Sequence, residues 1–224
     1  MRDGLLVLTA LSALIDWIAV ARDRRMIEYF AKPATLVLLI AWYATSIKAP
    51  WEPLAIYVLV GLFFSLAGDI FLMFSSRWFI AGLIAFLIGH LAYIPGFLSL
   101  GHNWSSSVVL LAVGIGVIAF IILRPMAMAL SQAGSKLLSV AVPLYGLILG
   151  LMFWAAASRL FTPAWPSPAN WLAAVGGLLF FISDSILGWN RFVAPIPGGR
   201  LVEMICYHVA QFAIASSVLS ILAS

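Results

Sequence analysis

The fold of this chain is decided by apolar stretches such as residues 115–122 (IGVIAFII) and 36–40 (LVLLI), in which no polar residue alternates with the apolar ones. The strands of a membrane β-barrel alternate apolar and polar residues, so these stretches favour helices. Over the whole chain, 64% of the residues are hydrophobic and 9% are charged, whereas about a quarter are charged in an ordinary soluble domain. The sequence therefore predicts an all-α polytopic bundle that spans a lipid bilayer.

Eight apolar runs are long enough to cross the roughly 30 Å of hydrocarbon in a bilayer. They lie at residues 4–21, 33–48, 53–74, 78–98, 106–123, 136–158, 169–190 and 200–222. The second run is the shortest, and we expect Tyr29 and Trp51 to anchor it at the two membrane surfaces. The connections are short, so residues 1–224 are expected to form one transmembrane domain. A faint similarity between residues 68–72 (GDIFL) and 183–187 (SDSIL), four helices apart, raises a possible 4+4 pseudo-repeat.

The basic residues are unevenly divided between the two sides of the predicted bundle. Nine lie in or beside the odd-numbered loops, and three lie on the other side, which accounts for all 12. Since basic residues are enriched in cytoplasmic loops, we expect the odd loops in the cytoplasm and both termini outside it. The predicted location is a bacterial inner membrane or its equivalent.

The composition also limits the kinds of ligand. Cys206 is the only cysteine, which excludes an intramolecular disulfide and any metal cluster based on cysteine. The net charge of +4 arises from short loops, so it reports topology and does not predict nucleic-acid binding. Asp16 interrupts the first apolar run, so we expect no cleavable signal peptide there. No metal and no cofactor is expected, and the lipid bilayer is the expected partner.

The most informative residues are the ionisable ones inside the apolar runs. Each costs about 2.5–3.5 kcal/mol at the centre of a membrane helix, which makes it a functional candidate. They are Asp16, Asp69, His90, Asp184 and His208. At 1.5 Å per residue, Asp69 and Asp184 lie about 7–9 Å inside the predicted cytoplasmic boundary. Their depth predicts a polar layer in the inner half of the membrane, which His90, His208, Tyr145 and Tyr207 join.

Helical spacing groups some of these residues on shared faces. His90 and Tyr93 are three residues apart, and Tyr207 and Gln211 are four apart. A purely structural interpretation stays open for both aspartates, which could belong to buried hydrogen-bond networks without chemistry. For Asp16 we favour an ion pair, either with Lys32 or with an arginine of the first loop.

Six segments of the sequence resemble the YhhN-like family, which includes the lysoplasmalogenases. The matching residues are Lys32-Pro33, residues 68–73 (GDIFLM), residues 89–93 (GHLAY), Tyr145, residues 180–187 (FFISDSIL) with Arg191-Phe192, and Tyr207 with Gln211. The first predicted helix and His208 carry no motif of this family. The resemblance implies an integral membrane hydrolase that cleaves the vinyl-ether bond of lysoplasmenyl phospholipids. The products would be a fatty aldehyde and a glycerophospho-base, and the partner a lysophospholipid or related ether lipid.

That chemistry suits the polar residues. A vinyl ether is cleaved by protonation of its β-carbon and addition of water to the resulting cation, which needs a general acid and a base. Two nearby carboxyls in a medium of low dielectric cannot both ionise, so Asp69 and Asp184 together could supply both roles. His90, Tyr93, Tyr145, Tyr207 and Gln211 would position water and substrate. Lys32 and Arg191, at the inner boundary, would bind the phosphate of the head group.

Two other classes of function stay open at this point. An intramembrane aspartyl protease also uses two aspartates on two helices, but Leu66 stands where its motif has a glycine. A proton-coupled transporter or a lipid-binding membrane protein would also carry carboxylates and imidazoles inside the bundle. A transporter needs access from both faces of the membrane, whereas a hydrolase needs a pocket that opens to the inner leaflet.

Overall fold

The computed structural model describes residues 2–223, and this part of the chain contains eight α-helices and no β-strand. The helices are α1 (Arg2–Ala21), α2 (Arg25–Ser46), α3 (Pro53–Met73), α4 (Phe79–Leu98), α5 (Ser106–Gln132), α6 (Lys136–Ala157), α7 (Ala169–Phe192) and α8 (Gly199–Leu222). Two short 3-10 helices, Ser76–Trp78 and Ser158–Phe161, precede α4 and follow α6. The predicted all-α fold is confirmed.

Seven of the eight helices are long and apolar enough to cross a membrane. The exception is α2, whose 22 residues would reach about 33 Å at 1.5 Å per residue. It is therefore long enough, but Lys32 and several hydroxyl-bearing residues lower its hydropathy. The chain is an integral membrane protein.

Two helices differ from the sequence-based prediction. We expected the second helix to start at residue 33, but α2 begins at Arg25, so that Lys32 and Pro33 lie inside it. The charged residues of its first turns face a polar cavity, which lets the helix continue without a fully apolar surface. We expected the fifth helix to end at residue 123, but α5 continues through Arg124 and Pro125 to Gln132.

Close packing of α7 against its neighbours places the polar residues of the bundle. A Cβ atom at Gly176 would lie 3.2 Å from the carbonyl oxygen of Ala210 on α8. A Cβ atom at Gly177 would lie 2.7 Å from the Cβ of Ala156 on α6. Glycine at both positions therefore lets α7 approach α6 and α8 closely, and the carboxyl of Asp184 comes within hydrogen-bond distance of Tyr145 on α6.

Arg159 is one of the three basic residues that the charge count assigned to the outer side. The residue is fully buried after the end of α6. Its guanidinium donates hydrogen bonds to the carbonyl oxygens of Ala155 and Gly101, at 3.1 and 2.8 Å, and to Ser158 Oγ. These bonds connect the turn after α6 to the loop between α4 and α5, so the Arg159 side chain holds these two segments together.

Successive loops lie at opposite ends of the bundle. The loops at residues 22–24, 74–78, 133–135 and 193–198 share one end, here called the basic end. From the distribution of Lys and Arg we expect this end in the cytoplasm and both termini outside. A C-terminal alkaline phosphatase fusion should be active, and a C-terminal green fluorescent protein should stay dark. The same reporters fused after Phe192 should give the reverse pattern, and a fluorescent full-length fusion would contradict the predicted topology.

Candidate active site

The first carboxyl of the site belongs to Asp69 on α3. Its Oδ1 lies 3.1 Å from Lys32 Nζ on α2, and its Oδ2 accepts a 2.7 Å hydrogen bond from the hydroxyl of Tyr207 on α8. The carboxyl is fully buried, and Lys32 is 7% exposed. Three helices thus hold Asp69 in an ion pair that is almost entirely removed from solvent.

The second carboxyl belongs to Asp184 on α7. Its Oδ2 accepts a hydrogen bond from the hydroxyl of Tyr145 on α6 and lies 3.1 Å from His90 Nε2 on α4. His90 Nε2 also lies 3.0 Å from the hydroxyl of Tyr145, so the three groups meet at one point. Within the described residues Asp184 has no Lys or Arg at ion-pair distance, in contrast to Asp69.

The aromatic ring of Phe180 packs between the residues that hold the two carboxyl groups. Phe180 is fully buried and makes edge-on contacts with His90 at 4.7 Å and with Tyr207 at 5.6 Å between ring centroids. His90 contacts Asp184, and Tyr207 contacts Asp69. The predicted polar layer is therefore two clusters built around one phenylalanine, each with its own carboxyl.

Tyr93 and Gln211 form a third polar contact deeper in the bundle. The hydroxyl of Tyr93 on α4 donates a 2.6 Å hydrogen bond to Gln211 Oε1 on α8. Both side chains are fully buried, and the ring of Tyr93 also contacts Phe180. This pair joins α4 to α8 and lies beside the two carboxyl clusters.

An apolar cleft leads to Asp184. Its walls come from α3 to α7, and they include Leu83, Phe86, Leu123, Leu149 and Tyr145. The cleft is narrow, with a volume of about 40 Å³, enough for roughly three water molecules. Asp184 is 9% exposed and Asp69 is fully enclosed, so the cleft brings only Asp184 to its surface.

A second cavity, here called the cationic cavity, opens at the basic end. It has a volume of about 360 Å³ and is lined by Arg25, Glu28, Tyr29, Lys32, Leu72, Met73, Leu187, Asn190, Arg191, Arg200 and Glu203. Four of these residues are basic and two are acidic. Arg200 is partly neutralised by Glu28, whose carboxylate it contacts at 2.8 and 2.9 Å. Leu72 and Leu187 line both this cavity and the apolar cleft, so the two spaces are neighbours.

Comparison with known proteins places this arrangement in a family. The sequence profile described as the YhhN family matches residues 27–218. The chain belongs to the YhhN family. It is 34% identical over 172 residues to human lysoplasmalogenase TMEM86A. The alignment covers 74% of this chain and 66% of the human protein. The chain is 30% identical over 192 residues to the lysoplasmalogenase homolog of Dictyostelium discoideum, covering 73% and 63% of the two chains. No solved structure gives a significant match.

A bacterial relative of this YhhN-family chain matches over nearly its whole length. The uncharacterized membrane protein YhhN of Escherichia coli O6:H1 (strain CFT073) is 27% identical over 219 residues, which covers 94% of this chain and 96% of the relative. By contrast, the chain spans slightly less than two thirds of the length of the human and Dictyostelium proteins it matches. Several curated relatives are named lysoplasmalogenase, so the family includes enzymes.

The conformation of the YhhN-family chain corrects two expectations about its buried ionisable residues. His208 was expected to join the polar layer, but its Nδ1 accepts a 3.1 Å hydrogen bond from Trp17 Nε1 on α1. Asp16 was expected to form an ion pair with Lys32 or an arginine. Its carboxyl is fully buried, neither oxygen has a hydrogen-bond partner among the described residues, and Lys32 pairs with Asp69 instead.

Two features of the site were missed in the sequence. Phe180 resembles any other apolar residue of a membrane helix, and only its position between the two clusters distinguishes it. Glu203, near the start of α8, lines the cationic cavity, which its position in the sequence does not indicate. Within residues 2–223, no three His, Cys, Asp or Glu side chains form a group that could hold a metal ion.

Proposed function

We propose that this protein is a membrane hydrolase that cleaves the vinyl-ether bond of a lysoplasmenyl phospholipid. The observation that carries the proposal is the order of the spaces: a cationic cavity at the membrane surface, then an apolar cleft with Asp184 on its wall. A lysophospholipid of this kind has the same order, with an anionic phosphate, a vinyl-ether bond and a hydrocarbon chain. The names of the curated relatives support the same substrate class.

The reaction begins with proton transfer to carbon. A carboxyl group protonates the β-carbon of the vinyl ether, and the ether oxygen shares the positive charge that develops on the neighbouring carbon. Water adds to that carbon and loses a proton to a base, which gives a hemiacetal. The hemiacetal collapses to a fatty aldehyde and the free hydroxyl of the glycerophospho-base. One water molecule is consumed, and no net proton is gained or lost.

In this proposal, Asp69 and Asp184 have different roles because their contacts differ. Asp69 is paired with the ammonium of Lys32 and does not line the cleft, which suits a carboxylate that stabilises the cation electrostatically without contacting the substrate. Asp184 borders the apolar cleft, receives a hydrogen bond from Tyr145 and has no cation of its own, which suits a general acid. The base that accepts the proton of water is then Asp184, once it has given its own proton to carbon. His90 contacts both Tyr145 and Asp184 and would hold them in position.

Purified protein in lipid nanodiscs allows a direct test. It should release aldehyde from a 1-alkenyl lysophospholipid and leave the saturated 1-alkyl analogue intact, because a saturated ether has no double bond to protonate. Release of fatty acid from the 1-acyl analogue would indicate an esterase. Absence of aldehyde from every alkenyl lysolipid would overturn the proposed function.

The cationic cavity makes a separate prediction about head-group binding. Arg191→Met is expected to raise KM about tenfold with little change in kcat, because contact with a phosphate stabilises the bound substrate and the transition state alike. Arg77→Met is the matched control, since Arg77 is exposed at the same end but lines neither the cleft nor the cationic cavity. Steady-state kinetics of aldehyde release measures both. A fall in kcat at unchanged KM would contradict a role for Arg191 in binding the phosphate.

A further inference from the structure

An apolar groove lies between α5 and α7 on the lipid-facing side of the bundle. It has a volume of about 340 Å³ and is lined by Ile115, Ile118, Ile122, Phe153, Leu178, Phe181, Ile182, Ser185, Ile186, Trp189 and Ile196. Leu178 is 41% exposed, so this side of the groove faces the hydrocarbon of the membrane. The volume is within the range of about 300–1,000 Å³ that is usual for ligand sites.

The groove is continuous with the apolar cleft. Ile122, Phe181 and Ser185 line both spaces, and Ser185 directly follows Asp184 in the chain. The cleft alone, at about 40 Å³, is too small for a long alkyl chain. A chain whose vinyl-ether end lies at Asp184 would therefore leave the cleft past Ser185 and enter the groove.

We propose that this groove binds the hydrocarbon chain of the lipid substrate. The inference rests on the proposed function, because the vinyl-ether carbon must lie at Asp184. Head-group cavity, cleft and groove then form one path from the basic end into the membrane, in the order of the parts of a single lysolipid.

The distance from the cleft to the deep end of the groove follows from the spacing of residues along its two walls. Ser185 and Leu178 are seven residues apart on one face of α7, and Ile122 and Ile115 are seven apart on α5. Each pair spans about 10.5 Å at 1.5 Å per residue. Since carbon–carbon bonds of about 1.5 Å advance an extended chain by roughly 1.3 Å each, this is the length of about eight carbon atoms. Carbons up to about the eighth from the vinyl ether would contact protein, and later ones would reach the deep end.

A bulky side chain at the deep end tests the proposal. Leu178→Trp should lower kcat/KM at least about tenfold for a 16-carbon alkenyl lysolipid and leave that for an 8-carbon substrate nearly unchanged, since about two turns of helix separate Leu178 from the reacting carbon. Leu151→Trp is the matched control, because Leu151 is a leucine on α6 with 42% exposure that lines neither the groove nor the cleft. Its profile of activity against chain length should match that of the wild-type protein.

A binding measurement separates this proposal from the proposed function. Saturated 1-alkyl lysolipids of 8 and 16 carbons should raise the melting temperature of the wild-type protein, and Leu178→Trp should weaken only the effect of the longer one. This result would stand even if the wild-type protein released no aldehyde. Should Leu178→Trp fail to fold, the smaller change Leu178→Phe at the same position makes the same prediction. Equal losses at both chain lengths in the two variants, or a loss as large in Leu151→Trp, would overturn the groove as the chain site.

Discussion

Asp184→Asn is expected to lower kcat for aldehyde release by about a hundredfold to ten-thousandfold, the usual contribution of a general acid. Asparagine has nearly the same shape and can still accept the hydrogen bond from Tyr145, but it cannot deliver a proton to carbon. Asp69→Asn should cause a loss of similar size, because it removes the negative charge that stabilises the cation. If the two carboxyls act as a unit, the double variant should lose little more than either single one.

Asp16→Asn is the matched control for these variants. Asp16 is also a fully buried aspartate in a membrane helix, but among the described residues neither of its carboxyl oxygens has a hydrogen-bond partner, and it belongs to neither carboxyl cluster. Its replacement should leave turnover close to that of the wild-type protein. Aldehyde release and thermal stability should be measured together on all four proteins. Near-normal turnover in a folded Asp184→Asn protein would remove Asp184 from the catalytic residues, and loss of folding would indicate a structural role.

The sequence predicted the parts of the site that follow from helical periodicity and hydropathy. The apolar runs placed six helices within two residues of their observed ends, since hydropathy changes sharply at a membrane surface. Spacing along one helix also placed Tyr207 and Gln211 on a common face, and in the structure they make hydrogen bonds to Asp69 and Tyr93. Each of these features is determined within a single helix, so it can be predicted from the sequence without knowing how the helices pack.

Contacts between helices depend on how each helix is rotated about its axis, and hydropathy alone does not determine that rotation in a chain so uniformly apolar. His208 differs from Tyr207 by one residue, or about 100° around α8, so Tyr207 contacts Asp69 whereas His208 contacts Trp17. The start of α2 was misplaced for a related reason. Its charged residues were taken as a membrane boundary, whereas they line the cationic cavity from within the helix.

The ion pair between Lys32 and Asp69 makes a strong prediction about stability. Removing one partner of a buried pair leaves the other charge without compensation and costs about 3–5 kcal/mol. The two partners differ in their surroundings, because Lys32 lines the cationic cavity beside Glu203 whereas Asp69 is fully enclosed. Lys32→Met should therefore destabilise the protein more than Asp69→Asn does.

A double-mutant cycle separates the ion pair from the individual side chains. The double variant with Lys32→Met and Asp69→Asn carries no unpaired charge at this point, so its free energy of unfolding should lie well above that of Lys32→Met alone. Lys48→Met, which changes an exposed lysine in the loop after α2, should have little effect. The free energy of unfolding of each variant in mixed micelles provides the comparison. If the effects of the two single changes were additive, the ion pair would contribute nothing. Asp69 would then be held by Tyr207 alone, and the role of Lys32 in keeping it a carboxylate would be lost.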